Sequence, residues 1–121
     1  MSFACLGRIA VGALLAVGAA ETTPALAQER SAENEGWRQY MVHCARCHGD
    51  DAVGGLMAPD VRHSLGRGAL DERSFLAVVL EGRRDKGMPA FKGVLSDEQA
   101  AAIVAYVAAR ASGKVGAGRP A

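Results

Sequence analysis

The segment Cys44-Ala45-Arg46-Cys47-His48 places two thiols and an imidazole side by side. Two thiols three positions apart, with a His directly after the second, form the pattern C-x-x-C-H, the signal for covalent haem attachment. The chemistry explains the order. On one turn of helix both thiols reach the same edge of a porphyrin, where each forms a thioether with a vinyl group. The next residue then passes under the ring and offers a neutral imidazole nitrogen to the iron. Other uses of a Cys pair fit less well. A thioredoxin-like redox pair sits in a βαβ context, and no strand pattern precedes Cys44. A zinc knuckle needs two further ligands, and no second Cys pair exists in the chain.

An iron that carries electrons without bonding to substrate needs a sixth ligand. Met41, Met57, Met88, His43 and His63 are the candidates. Met41 and His43 lie too close to the attachment turn to reach across the ring. Met88 fits best, between two predicted helices with Gly87 before it and Pro89 after it. Proline fixes its own φ and pushes the preceding residue extended, which holds a thioether still against iron. Met57 reads instead as a gap-filling apolar residue against the haem. His63 would give a bis-imidazole haem of lower potential. If none of these ligates, the sixth position is open, and the alternative is a gas-binding sensor or a peroxide-reactive enzyme.

The N-terminal segment has the pattern of an export signal. Arg8 precedes an apolar run, Ile9 to Ala20, and Ala25-Leu26-Ala27 matches an A-x-A cleavage site. Residues 1–27 are therefore expected to be a signal peptide and 28–121 the exported domain. The run is shorter than the ~20 residues of a membrane span, so no stable membrane anchor is expected, and the location implied is the periplasm. Cys5 would leave with the signal, making Cys44 and Cys47 the thiols of the exported domain. An oxidising compartment favours a disulfide between them, with which haem attachment must compete. The formal net charge of the full chain is +1, without the strongly basic balance that nucleic-acid binding calls for.

These groups must be positioned by a small domain whose aromatic residues are Trp37, Tyr40, Phe75, Phe91 and Tyr106. Its own core is modest, and a buried haem would supply the missing apolar volume. Residues 28–34 read as a loose polar leader. A first helix is predicted from about residue 35 to 47, with Trp37, Tyr40, Met41 and Cys44 on one face at i, i+3, i+4 and i+7. Residues 49–69 read as one long irregular loop wrapped around the haem, where Gly49, Gly54 and Gly55 let backbone lie close to the ring and Pro59 breaks any helix. A second helix is predicted over about 71–81, capped by Asp71, stopped by Gly82 and buried through Phe75, Leu76, Val79 and Leu80. The last helix opens on a capping box, Ser96 with Gln99. It carries the stripe Ala100, Ile103, Val104, Val107, Ala108 and Ala111 and ends at Gly113, leaving 114–121 as a tail. No strand pattern and no repeat appear.

Taken together, C-x-x-C-H at 44–48, Gly-Met-Pro-Ala-Phe at 87–91 and the capped last helix containing Tyr106 resemble a class I c-type cytochrome. The resemblance covers roughly residues 36–110. It implies an all-α cytochrome c fold of three to four helices around one covalently bound haem c, with the N- and C-terminal helices crossing. It also implies His48 and Met88 as axial ligands, and Pro59 as the residue whose carbonyl accepts the proximal His N–H. The activity implied is one-electron, outer-sphere transfer by a carrier that is not an enzyme. A narrower resemblance lies in Cys-His-Gly-Asp-Asp (47–51), Ala-Pro-Asp (58–60) and the C-terminal Ala-Arg-Ala-Ser-Gly and Gly-Arg-Pro segments. These are similar to small periplasmic cytochromes of bacterial alcohol metabolism. That likeness implies a quinoprotein alcohol or methanol dehydrogenase as donor, and a terminal oxidase or another cytochrome as acceptor. The chain has fewer lysines than mitochondrial-type cytochromes c. Arg83, Arg84, Lys86 and Lys92 nevertheless flank Met88 and could form a basic rim for an acidic partner; the plainer reading is a solvated charged loop.

Overall fold

The computed structural model describes residues 24–121. The apolar run at 9–20 and Cys5 lie outside the described residues. Five helices follow in order: α1 (Pro24–His43), α2 (Ala45–His48), α3 (Val61–Gly66), α4 (Glu72–Glu81) and α5 (Asp97–Ser112). Short 3-10 turns occupy Asp50–Ala52 and Arg84–Lys86. Among the described residues there is no strand, and pairing is limited to isolated bridges, Arg83 with Met88 and Lys92 with Leu95. No described helix is long and apolar enough to cross a membrane.

The first helix departs from expectation at both ends. Residues 28–34 lie within it and are helical rather than a loose leader. The stretch is rich in Ala, Gln, Glu and Arg, all strong helix formers. Polar side chains that look like leader residues have partners: Lys114 pairs with Glu29 at 3.1 Å and with the buried Glu33 at 2.9 Å. The Ala25-Leu26-Ala27 segment is helical, within α1, and exposed. At the other end the helix breaks at Cys44 (φ −118°, ψ −38°) and resumes as α2.

Residues 49–69 are not one loop. Asp60, just after Pro59, caps α3 by accepting the Arg62 N–H at 3.0 Å, and Val61 and Leu65 face the core at i, i+4. One turn and a half of helix is too short to show a period. The later helices form as expected. The Asp71 carboxylate accepts the Ser74 N–H at 2.7 Å. Ser96 and Gln99 exchange both bonds of the capping box, at 2.9 and 3.1 Å. Phe75 and Val79 are buried and Leu76 and Leu80 pack beside them. Along α5, Ala100, Ile103, Val104 and Val107 are buried, Ala108 and Ala111 half-buried, and Tyr106 is fully buried as well.

Packing centres on the contact of α1 with α5. Tyr40 and Tyr106, both almost fully buried, lie with ring centroids 5.4 Å apart and tilted by 55°. One turn earlier Gly36 lets the helix backbones meet: a Cβ there would collide with the Ala102 carbonyl and the Tyr106 Cβ. Met41, expected on this buried face, is exposed, because the face is narrower than its spacing implies. In an exposed helix a Gly-to-Ala change stabilises by about 1 kcal/mol. Gly36→Ala is expected to do the opposite, lowering the unfolding free energy by roughly 1–3 kcal/mol through overpacking, as read by denaturant unfolding of the haem-loaded protein.

Candidate functional site

The break at Cys44 places the motif. Cys44 closes the last turn of α1 through its N–H to the Tyr40 carbonyl (2.8 Å), and its own carbonyl accepts the His48 N–H (2.9 Å). Cys44 and Cys47 thus stand around one helical turn, both half-buried and neither in a disulfide. Cys44 packs against the core. Burial, aided by the neighbouring Cys47, pushes its thiol up to about 12, so it stays a neutral thiol at ordinary pH. Among the described residues no group of three or more His, Cys, Asp and Glu side chains gathers as a metal-binding cluster.

The His48 ring is oriented by the backbone. Its Nδ1 lies 2.9 Å from the Pro59 carbonyl oxygen. A carbonyl only accepts, so Nδ1 carries a proton, and in the neutral ring the lone pair is then on Nε2. The Pro59 carbonyl is itself fixed. Asp60 grips the Arg62 guanidinium at 3.0 and 2.6 Å, and these hydrogen bonds hold its carboxyl below the usual carboxylate range. Gly54 packs against the same point at φ +86°, where a Cβ would come within 2.7 Å of the Asp60 nitrogen. Its N–H donates to the His48 carbonyl at 2.7 Å. On the other side, the buried Tyr40 hydroxyl donates to the Gly49 carbonyl at 2.9 Å.

Met88 is half-buried on a separate segment. Two backbone hydrogen bonds pair it with Arg83, at 2.9 and 3.0 Å, around the left-handed Gly87. The residues after it are tied to the end of α4, Phe91 N–H to Val79 carbonyl (3.2 Å) and Lys92 N–H to Leu80 carbonyl (3.0 Å). The Phe91 ring meets His43 edge-on, with centroids 5.8 Å apart, which joins this segment to the end of α1 beside Cys44. A groove lined by Arg84, Gly87, Met88, Pro89 and Ala90 opens at Met88.

The other candidate ligands are placed elsewhere. Met57 is 81% exposed beside the fully exposed Leu56. His63 is exposed, with Nε2 3.9 Å from the Asp60 carboxylate. One group that holds the turn after His48 carries no sequence signal: Arg110 Nε donates to the Asp51 carbonyl at 3.1 Å, across 59 positions.

Two unpaired thiols on one turn, an imidazole whose tautomer is set by a carbonyl, and backbone drawn close by glycine fit a covalently bound haem. Comparison with known proteins agrees. Residues 31–107 match the family described as cytochrome C oxidase, cbb3-type, subunit III, and the chain belongs to this family of c-type cytochromes. It is 33% identical over 88 residues to the quinohemoprotein alcohol dehydrogenase ADH-IIG of Pseudomonas putida, covering 73% of this chain but 12% of that protein. It is 35% identical to cytochrome c6 of Tetradesmus obliquus, across 64% of this chain and 90% of that one. The crystal structure of the c-type cytochrome XoxG from Methylobacterium extorquens AM1 superposes with a TM-score of 0.65 at 32% identity, covering 74% of this chain and 57% of that chain. The all-α cytochrome c fold is thereby established, and with it one covalently bound haem c.

The two core tyrosines make a paired test of the turn beside His48. Tyr40→Phe leaves the Gly49 carbonyl without its donor and is expected to cost about 1–3 kcal/mol. The Tyr106 hydroxyl has no hydrogen-bond partner among the described residues, so Tyr106→Phe is expected to be neutral or stabilising. Thermal unfolding of both haem-loaded variants checks the difference.

Proposed function

We propose that this protein is an exported one-electron carrier, with residues 1–27 as its signal peptide and 28–121 as a periplasmic cytochrome c domain. The observation that carries the reading is the bond from His48 Nδ1 to the Pro59 carbonyl, 2.9 Å. It fixes the tautomer in which Nε2 can ligate, and raises the basicity of the ring. In this reading Cys44 and Cys47 would hold the porphyrin by thioether bonds, His48 and Met88 would ligate the iron, and Pro59 orients the His48 imidazole. Bound haem c supplies a ferric/ferrous couple, and no bond to substrate is made. The chain's own residues hold the ligands still. Their rigidity keeps the reorganisation between oxidation states small, and a thioether ligand together with burial favours the ferrous form.

Donor and acceptor are proposed by likeness. The relationship to a quinohemoprotein alcohol dehydrogenase supports a quinoprotein alcohol or methanol dehydrogenase as donor. The family description supports a terminal oxidase, or another cytochrome, as acceptor. Arg83, Arg84, Lys86 and Lys92 are exposed around Met88, and none has an ion-pair partner among the described residues. They form a basic rim for brief docking of an acidic partner, through an interface under about 1,200 Å².

The absorption spectrum of the protein, matured in an export-competent host with c-type haem assembly, tests the site. A low-spin spectrum is expected, with a sulfur-to-iron charge-transfer band in the oxidised form. Met88→Ala is expected to abolish that band and lower the potential. A high-spin spectrum that shifts on adding carbon monoxide would mean an open sixth position and a ligand-binding or peroxide-reactive protein. Absence of covalent haem would sink the reading. For the rim, reduction by an acidic donor is expected to slow by about tenfold or more as salt is raised from low to physiological ionic strength. Stopped-flow rates independent of salt would remove its role.

A further inference from the structure

Asp51 and Ala52 are the non-glycine residues with positive φ among the described residues, at +60° and +64°. Such a conformation costs about 1 kcal/mol or more per residue, so it persists only where the surroundings impose it. Ala52 is fully buried in the core. Two ties hold Asp51. From α5, Arg110 donates through Nε to the Asp51 carbonyl at 3.1 Å and through a terminal nitrogen to the Val115 carbonyl at 3.0 Å. From the C-terminal segment, the Gly118 N–H donates to the Asp51 carboxylate at 2.6 Å.

That segment is not the tail expected of residues 114–121. Pro120 is buried, and its carbonyl accepts from Asn34 of α1 at 3.2 Å. The Arg119 guanidinium lies 5.7 Å from the centroid of the Trp37 ring, a cation–π distance. Residues 113–120 therefore form a strap from the end of α5, across α1, to the turn that follows His48. The turn reaches His48 directly, because the His48 carbonyl accepts the N–H of Gly54 at its far end, 2.7 Å away.

We infer that Asp51 and Arg110 are positioning residues through which the C-terminal strap sets the orientation of the His48 imidazole, and thereby the reduction potential of the bound haem. The inference rests on the reading of His48 as the proximal ligand. A strap that served stability alone would change the melting temperature and leave the potential where it was.

The test uses the haem-loaded protein in four forms: unchanged, Asp51→Gly, Asp51→Asn, and a chain ending at Val115. Asp51→Gly tolerates the backbone conformation but removes the acceptor for Gly118. Asp51→Asn keeps an acceptor oxygen and tolerates positive φ. The Asp51→Gly and shortened proteins are expected to change the ferric-to-ferrous ratio at fixed ambient potential by up to about tenfold, or about 59 mV for one electron. Both should also displace the hyperfine-shifted proton resonances of the His48 ring, while Asp51→Asn stays close to the unchanged protein. Lower melting of both altered proteins with unchanged potential and His48 resonances would overturn the inference. So would failure of both to fold, which would make the strap a stability element. An unchanged protein that carries no covalent haem would fail earlier, on the haem reading itself, and the inference would fall with it.

Discussion

The hydrogen bond from His48 Nδ1 to the Pro59 carbonyl is the interaction on which the proposed site depends. An imidazole can present either nitrogen and can rotate about two side-chain bonds. A metal ligand needs one tautomer and one orientation. Eleven residues separate donor from acceptor, so the intervening chain must be held as firmly as the bond. Three kinds of constraint do this. Gly54 closes the loop where a Cβ would not fit, Asp60, the residue after Pro59, is held by capping α3 and gripping Arg62, and Asp51 is tied to α5 and to the strap. Each is weak alone, at about 1 kcal/mol for an ordinary hydrogen bond, but all act on one short stretch of backbone.

That stretch is suspended from the contact of α1 with α5. Close approach at Gly36 brings Tyr106 against Tyr40. Tyr40 then reaches Gly49, the residue after His48, with its hydroxyl. A core tyrosine thereby converts helix packing into the placement of a loop carbonyl. Arg110, one turn after Tyr106 on the same helix, does the same for Asp51. The helical scaffold holds the motif from below and from the side through hydrogen bonds, so the motif does not depend on apolar contact alone.

The parts legible in the sequence are those whose signal is local. C-x-x-C-H, the Ser96–Gln99 capping box and the Asp71 cap each fit within five residues, and the apolar stripes of α4 and α5 repeat often enough to show a period. What escaped is non-local or too short. Helix α3 has one turn and a half, too little for periodicity, although Asp60 after Pro59 with Val61 and Leu65 at i, i+4 was a usable sign. Residues 28–34 look like a leader because their polar side chains find partners only in the folded strap, Lys114 and Pro120 among them. The positive φ at Ala52 has no signature in the sequence, and at Asp51 only the weak one that Asp adopts it more readily than most residues. In the sequence Met88 stands out by its glycine and proline neighbours, Gly87 and Pro89. The Arg83 pairing that frames it depends on a turn whose geometry is set by Gly87.

The two segments that carry the proposed ligands are restrained by different means, and this bears on which can move. The His48 segment is tied by side chains from three elements, α1, α3 and α5, together with the strap. The Met88 segment is tied mainly by backbone bonds, to Arg83 on one side and to the end of α4 on the other, and its flanking basic residues are exposed. Backbone pairing around a left-handed glycine fixes register but leaves the rim side chains free. A partner that docks on Arg83, Arg84, Lys86 and Lys92 would therefore press on the less buttressed side of the site. The proximal geometry, held by Pro59, Asp51 and Tyr40, would stay as it is. Such a division suits an electron carrier.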